Sequence, residues 1–316
     1  MSDWALLADV GGTNARFALA RGGRIGTPVT LATEDFADLP QALAHALHTL
    51  GARSLHAAAM CAAGPPRDGA IALTNHPWQA SEAALRAATG VARPLLVNDF
   101  TALAAALPAL GSQHLRALGD GVPESGAARA VIGPGTGLGV SGLLPGTHGE
   151  AIISGEGGHV DLAAASAEED AILVRLRARF GHVSAERVLS GGGLAALFAA
   201  MQPQDATGTP LQAQAIAARA ADGDAAALAC VRQFCAWLGA VAGDLALTLG
   251  ARGGLYVGGG IVPAWGTLFQ DAVFRQRFED KGRYREYLRA IPTYIITAPQ
   301  PALIGLQRLL EQQRRT

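Results

Sequence analysis

The stretch Ala5-Leu6-Leu7-Ala8-Asp9-Val10-Gly11-Gly12-Thr13-Asn14-Ala15-Arg16-Phe17-Ala18-Leu19-Ala20 decides the fold. It opens on a short apolar run stopped by glycine, the signature of a buried strand. Gly11 to Asn14 turn the chain, 17–20 reads as a returning strand, and 28–33 follows a second turn as a third strand. Outward from there, 36–50 is helical, with Leu39, Leu43, Ala46, Leu47 and Leu50 at helical spacing. A strand at 55–63 stops at Gly64-Pro65-Pro66, and 81–88 is a short helix with Ser81 as N-cap. A strand at 95–97 ends on Asn98-Asp99, and 101–107 is helical. The order βββαβαβα is that of an α/β domain.

The pattern then restarts. After a polar segment at 119–128, Ala130-Val131-Ile132 reads as a strand, 133–139 as a glycine-rich turn, and 140–144 as the returning strand. This repeat suggests an internal duplication, and 316 residues suit two domains of about 150 each. Helices follow at 168–180, 186–189, 194–201, 211–221 and 225–249, then strands at 254–257 and 291–297 and a last helix at 302–314. The helix at 225–249 carries Arg232 and Asp244, which fits a core helix better than a membrane span.

Composition narrows the function. Charged residues are 16% of the chain, against about 25% in an average protein. The net charge of −1 argues against a strongly basic nucleic-acid binder. No signal peptide is read at the N-terminus, and the longest uncharged stretch, 130–149, is too rich in Gly and Pro for a membrane helix. Cys61, Cys230 and Cys235 form neither a disulfide framework nor a zinc site, as expected of a reduced cytoplasmic protein. Glycine is abundant, at 40 residues, and Lys281 is the one lysine among 25 basic residues.

These oddities meet at the glycine loops. In Asp9-Val10-Gly11-Gly12-Thr13, glycine permits close backbone approach and positive φ, and successive N–H groups make an anion-binding nest to which Thr13 adds a hydroxyl. Asp9 is placed to hold a metal ion through water. Gly133-Pro134-Gly135-Thr136-Gly137-Leu138-Gly139 repeats the chemistry. Tight hairpins also use glycine, but two such loops in matching contexts suit a polyphosphate clamped from two sides. There is no GxxxxGK[ST], and the second loop does not open a βαβ helix, so neither a P-loop nor a dinucleotide fingerprint fits. With a single lysine, phosphate charge falls to backbone N–H groups, a metal and Arg16.

Polar residues gather at other turns. Asn98 and Asp99 end a strand, where Asp99 suits the acceptance of a hydroxyl proton; the same pair also suits a helix N-cap. Glu156 and His159 flank glycines and suit either a small polar ligand or a surface turn. Glu186 follows Ser184, an expected N-cap, and so also suits the helix dipole. Together, Asn98, Asp99, Glu156, His159 and Glu186 offer what a ring of sugar hydroxyls requires. His45 and His48, three apart on a helix, read as a solvated face.

At this point the chain resembles the bacterial glucokinases of the non-ROK type, within the actin-like, hexokinase-like ATPase superfamily. The resemblance rests on 7–16 (LADVGGTNAR), 74–78 (TNHPW), 98–102 (NDFTA), 135–140 (GTGLGV), 155–161 (GEGGHVD), 181–190 (GHVSAERVLS), 258–263 (GGGIVP) and 278–283 (FEDKGR). It implies two actin-like α/β domains, 1–110 with 298–316 and 111–297, with an active-site cleft between them. The C-terminal helix is then expected to return to the first domain. It also implies ATP-dependent phosphorylation of the glucose 6-hydroxyl, the first step of glycolysis, needing Mg²⁺, in a cytoplasmic homodimer without nucleic acid or membrane partners. Carried over by position, Asp99 is the base, and Asn98, Asp99, Glu156, His159 and Glu186, with Gly137 and Asn75, bind glucose. ATP falls to Ala8, Asp9, Val10, Gly11, Gly12 and Thr13, to Gly135, Thr136 and Gly137, and to the adenosine motif Gly258, Gly259 and Gly260. Asp9 faces Mg²⁺ through water. Pro134 and Gly192 depart from the usual pattern, and without the ROK cysteine motif no zinc is implied. Another hexose kinase of the same fold, a non-catalytic sugar sensor and a filament-forming ATPase remain the alternatives.

Overall fold

A computed structural model describes residues 4–52, 54–73, 76–147, 149–202 and 211–314. The chain divides into two compact units, Met1–Gly111 with Ala298–Thr316, and Ser112–Thr297.

In the first unit, β1 (Ala5–Val10), β2 (Asn14–Arg21), β3 (Arg24–Ile25) and β4 (Val29–Ala32) form an antiparallel group, with β3 and β4 both pairing with β2. β5 (Ala57–Ala62) joins β1 in parallel. A small hairpin of β6 (Ala70–Ala72) and β7 (Gln79–Ser81) intervenes before β8 (Leu95–Asn98), which pairs in parallel with β5. The period-2 alternation of β1 divides the core into two layers. Leu6, Ala8 and Val10 pack with Leu39, Leu43, Met60 and Trp78 on one face, while Ala5 and Leu7 pack with Cys61, Leu303 and Leu306 on the other. Helix Leu39–Thr49 starts at Asp38, whose Oδ1 accepts from the Gln41 N–H at 2.9 Å. Ser81 caps helix Glu82–Thr89 by accepting from the Ala84 N–H at 3.1 Å.

The second unit repeats the scheme. β9 (Leu115–Leu118) is an edge strand. β10 (Arg129–Pro134), β11 (Leu138–Gly146) and β12 (Gly149–Ser154) form an antiparallel meander. β13 (Leu255–Val257) and β14 (Thr293–Ile296) extend it in parallel from β10. In both sheets the first strand of the meander lies between the second strand and the first parallel one. Helix Ala225–Leu249 is long and apolar enough to cross a membrane by length and composition. Yet Cys230, Phe234, Cys235 and Trp237 on it are fully buried with Phe274 and Phe278 in the core of this unit.

Several elements differ from the sequence expectations. β6, β7, β9 and β12 were not expected; they are short or, like β12, largely exposed, so their apolar signal is weak. The helix expected from Leu194 starts at Gly191 instead. Glycine at its start is explained by space, because a Cβ on Gly193 would lie 2.5 Å from the Val188 carbonyl carbon. The stretch expected as a helix at 186–189 is a 3₁₀ turn, Ala185–Arg187.

Helix Pro301–Gln313 packs on helix Asp99–Ala106, which begins the first unit's candidate site. The contact is backbone to backbone, since a Cβ on Gly305 would collide with the Ala102 carbonyl. Gly305→Ala is therefore expected to destabilise by about 1–3 kcal/mol through overpacking, read as a lowered midpoint in thermal denaturation; an unchanged midpoint would show that the helices can separate freely. Burial pushes the Cys230 and Cys235 thiols up to about 12. Both groups stay protonated at pH 8, so a disulfide reagent should label them only on unfolding.

Candidate active site

The first unit brings two predicted groups to one sheet edge. Val10, Ala62 and Asn98 are in register across β1, β5 and β8. At about 4.8 Å per strand, Asn98 lies roughly 10 Å from the loop that follows Val10. This is the carboxyl edge of parallel strands, where α/β folds place their ligands.

Ala8, Asp9 and Val10 end β1, and Gly11, Gly12 and Thr13 make the turn. The turn is held from inside: the Gly11 N–H donates to the Asn14 carbonyl at 3.0 Å, the Thr33 hydroxyl to the Gly12 carbonyl at 2.8 Å, and the Thr33 N–H to the Thr13 carbonyl at 3.0 Å. The expectation of positive φ is corrected here, since Gly11 has no such conformation. Space is the constraint, because a Cβ there would lie 3.2 Å from the Asn14 carbonyl oxygen. Asp9 is the cross-strand partner of Arg16, and its Oδ2 is 3.7 Å from Arg16 Nη1. The Cys61 thiol donates to Asp9 Oδ1 at 3.5 Å. Burial holds the Asp9 carboxyl above its ordinary range, with Arg16 and Cys61 opposing the shift. No cluster of three or more His, Cys, Asp or Glu side chains able to hold a metal occurs among the described residues. One carboxylate at a loop fits a Mg²⁺ ion held through water and substrate phosphates, as that cation favours.

Asn98 serves as the N-cap of helix Asp99–Ala106, two residues earlier than the expected start. Its Oδ1 accepts from the Phe100 and Thr101 N–H groups at 2.8 and 3.3 Å, and its Nδ2 donates to the Gly64 carbonyl at 3.1 Å. One amide hydrogen remains, because an Asn NH₂ has two. Asp99 is half-buried in the first helical turn, where the helix dipole favours a carboxylate. The Asn98 cap thus sets the helical turn that carries Asp99. Asn75 lies outside the described residues.

The second unit gathers the rest. The turn after β10 carries Gly135, Thr136 and Gly137, closed by a Gly135 N–H bond to the Gly137 carbonyl at 2.8 Å. Gly135 O also accepts from the Gly191 N–H at 2.9 Å, at the start of the next helix. Glu186 reaches the same loop, its Oε2 accepting from the Leu138 N–H at 2.9 Å. The expected Ser184 cap does not form; Ser184 makes no side-chain cap, and the Glu186 carboxylate is committed to the loop instead of a helix terminus. A Cβ on Gly137 would lie 2.5 Å from Glu186 Oε2, so glycine makes the room for that carboxylate.

Glu156 precedes the 3₁₀ turn Gly157–His159 and His159 ends it, with the His159 N–H donating to the Glu156 carbonyl at 3.0 Å. Backbone bonds from Leu162 N–H to Val183 O and from Ala185 N–H to Val160 O tie that turn to the Glu186 turn. They set His159 Nε2 4.0 Å from Glu186 Oε2, too long for a direct hydrogen bond. Gly258, Gly259 and Gly260 follow β13, beside the second glycine loop. Gly259, at φ +75°, packs against the Pro134 carbonyl too closely for any Cβ. A cavity of about 440 Å³ lies behind Gly157, lined by Val140, Leu245 and Lys281 among others. None of the candidate side chains lines it.

The glucokinase family model matches residues 6–313. The chain belongs to the glucokinase family. The glucokinase of Chromobacterium violaceum is 48% identical over 304 residues, covering 95% of this chain and 87% of that protein. The crystal structure of a glucokinase from an Antarctic psychrotroph is 36% identical, with a TM-score of 0.87 over 99% of this chain and 100% of that one. A ROK family glucokinase from Streptomyces griseus, in complex with glucose and AMPPNP, has a TM-score of 0.67 over 98% of this chain and 99% of that one; at 19% identity it shares the fold. That fold is the actin-like α/β architecture.

Sequence reading missed Thr33, Cys61 and the Gly64 carbonyl, none of which belongs to a motif; only the strand pairing brings them to the loops. The glycines between Glu156 and His159 also serve packing, since a Cβ on Gly158 would collide with the Leu138 carbonyl. With backbone on both sides, Gly158→Ala is expected to cost about 2–3 kcal/mol. That is a fall of roughly 4–12 °C in thermal midpoint for a chain region of this size, with amide-exchange protection lost first at 135–140 and 155–162. Wild-type protection at both segments would show that the contact is dispensable.

Proposed function

We propose that this chain transfers the γ-phosphoryl group of ATP to the 6-hydroxyl of D-glucose, with Asp99 as the general base. The observation that carries the assignment is the placement of Asp99, behind the Asn98 cap, at the same strand edge as the Asp9-to-Thr13 loop. Family membership supports the activity.

In this reading Asn98 donates its second amide hydrogen to a sugar hydroxyl, and Glu156, His159 and Glu186 take the remaining hydroxyls. The 6-oxygen attacks the γ-phosphorus in line, the bond to the β,γ-bridging oxygen breaks, ADP leaves, and the hydroxyl proton passes to the Asp99 carboxylate. The glycine loops meet the phosphate oxygens with backbone N–H groups, whose fixed dipoles need no reorganisation as charge shifts. Gly258, Gly259 and Gly260 border the adenosine. Asp9 would hold a Mg²⁺ ion through water, and that ion supplies charge neutralisation on the transferred group. Catalysis that depends on these sugar contacts leaves water a poor substitute. Mg²⁺ dependence, a homodimeric state, a cytoplasmic location and a place in glycolysis belong to this reading.

A coupled ADP-release assay with glucose, Mg²⁺ and ATP tests it, and a panel of mannose, fructose and glucosamine tests the sugar. Asp99→Asn and Asp99→Ala should lower kcat by about 10²–10⁴ with glucose affinity changed only a few-fold and thermal stability retained. Near wild-type turnover in either variant would remove Asp99 as the base. Glucose binding by the wild type without ADP release would replace catalysis with sensing.

A further inference from the structure

Cys61 has no part in the proposed chemistry, yet it stands at the centre of the first unit's site. It is the residue on β5 paired with Asp9 on β1 and with Val97 on β8, immediately before Asn98. Its side chain is fully buried among Ala5, Leu7, Ala18, Ala59 and Leu306, so the surrounding layer is apolar. Within that layer the thiol donates to Asp9 Oδ1 at 3.5 Å. The other carboxylate oxygen, Oδ2, is on the side of Arg16 Nη1 at 3.7 Å. The two oxygens of Asp9 therefore have different neighbours, a short neutral donor from the next strand and a half-exposed cation across the hairpin.

We infer that Cys61 is a positioning residue for nucleotide binding: its thiol fixes the Asp9 carboxylate plane, so that Oδ1 stays engaged inside the sheet and Oδ2 stays on the Arg16 side, available to the water shell of a nucleotide-bound cation. The inference rests on the assignment of the Asp9-to-Thr13 loop to ATP. A carboxylate otherwise rotates freely about its last bond, because that terminal torsion is broad and two-fold. A donor supplied by a central strand limits this rotation without adding charge. A lysine or arginine in the same place would neutralise Asp9 and compete with the cation side. A thiol keeps the carboxylate charge available, and its small volume fits a layer that holds Ala5, Ala18, Ala20 and Ala59 beside larger leucines. Serine would retain the donor at a shorter natural length, whereas alanine and valine would remove it.

The experiment compares wild type, Cys61→Ser, Cys61→Val and Cys61→Ala by three measurements: calorimetric titration with MgADP, steady-state kinetics with KM for ATP and for glucose determined separately, and thermal denaturation. The Ala and Val variants are expected to bind MgADP about 3–10-fold more weakly and to raise KM for ATP by a similar factor, with KM for glucose within two-fold of wild type. Cys61→Ser is expected to restore MgADP affinity to within two-fold even where its thermal midpoint is lowered. A packing role predicts the opposite pattern, in which Val, the apolar filler, is the best replacement and serine the worst, and that result overturns the inference. So does unchanged MgADP affinity in folded Ala and Val variants. A wild-type protein that binds no MgADP and releases no ADP with glucose and ATP overturns the kinase reading itself, whatever the variants do.

Discussion

The site in the second unit depends on backbone packing against backbone at the loop after β10. Gly158 lies on the Leu138 carbonyl, Gly259 lies on the Pro134 carbonyl, and the Gly191 N–H bonds to the Gly135 carbonyl. Any side chain at the first two positions would push neighbouring segments apart. Three turns that are far separated in sequence are thereby pressed on one hairpin: the Glu156–His159 turn, the helix start at Gly191, and the Gly258–Gly260 turn. Rigidity at this point follows from the absence of side chains, since main-chain atoms cannot move away by changing rotamer.

Glu186 makes that packing chemical. One oxygen of its carboxylate holds the Leu138 N–H, while Gly137 leaves the space it occupies. The same oxygen is the one nearest His159. A group assigned to the sugar is thus hydrogen-bonded to the loop assigned to phosphate. Displacement of either would disturb the other, so under the proposed assignments the sugar and phosphate contacts of this unit are coupled through Glu186.

Much of this was legible in the sequence, because the signals were local. Strand, glycine turn, strand announced both meanders, and the apolar spacing of residues 36–50 and 225–249 announced their helices. Asn98 and Asp99 carry two readings, cap and site, and the structure shows the cap: the bonds to Phe100 and Thr101 set the helix start that carries Asp99. What stayed hidden came from pairing between strands. Thr33 clasps the first loop from β4's end, and Cys61 reaches Asp9 from β5, but neither spacing is periodic with the loop. The loop glycines are read for close backbone approach and positive φ; at Gly11 and Gly137 the requirement is room, a property of neighbours that no local sequence window contains.

The likeness of the two sheets extends to the turns that follow equivalent strands. Gly64 follows β5, and Gly258 follows β13, the equivalent strand of the second sheet. In the first unit the Gly64 carbonyl takes the Asn98 amide; in the second, the Gly258 N–H returns to Ile132 O and the next glycine packs on the Pro134 carbonyl. The same topological position therefore orients a side chain in one unit and closes backbone on backbone in the other. Under the proposed roles, the first unit's turn holds the Asn cap that precedes the proposed base, and the second unit's turn keeps side chains out of the way of the proposed nucleotide loop.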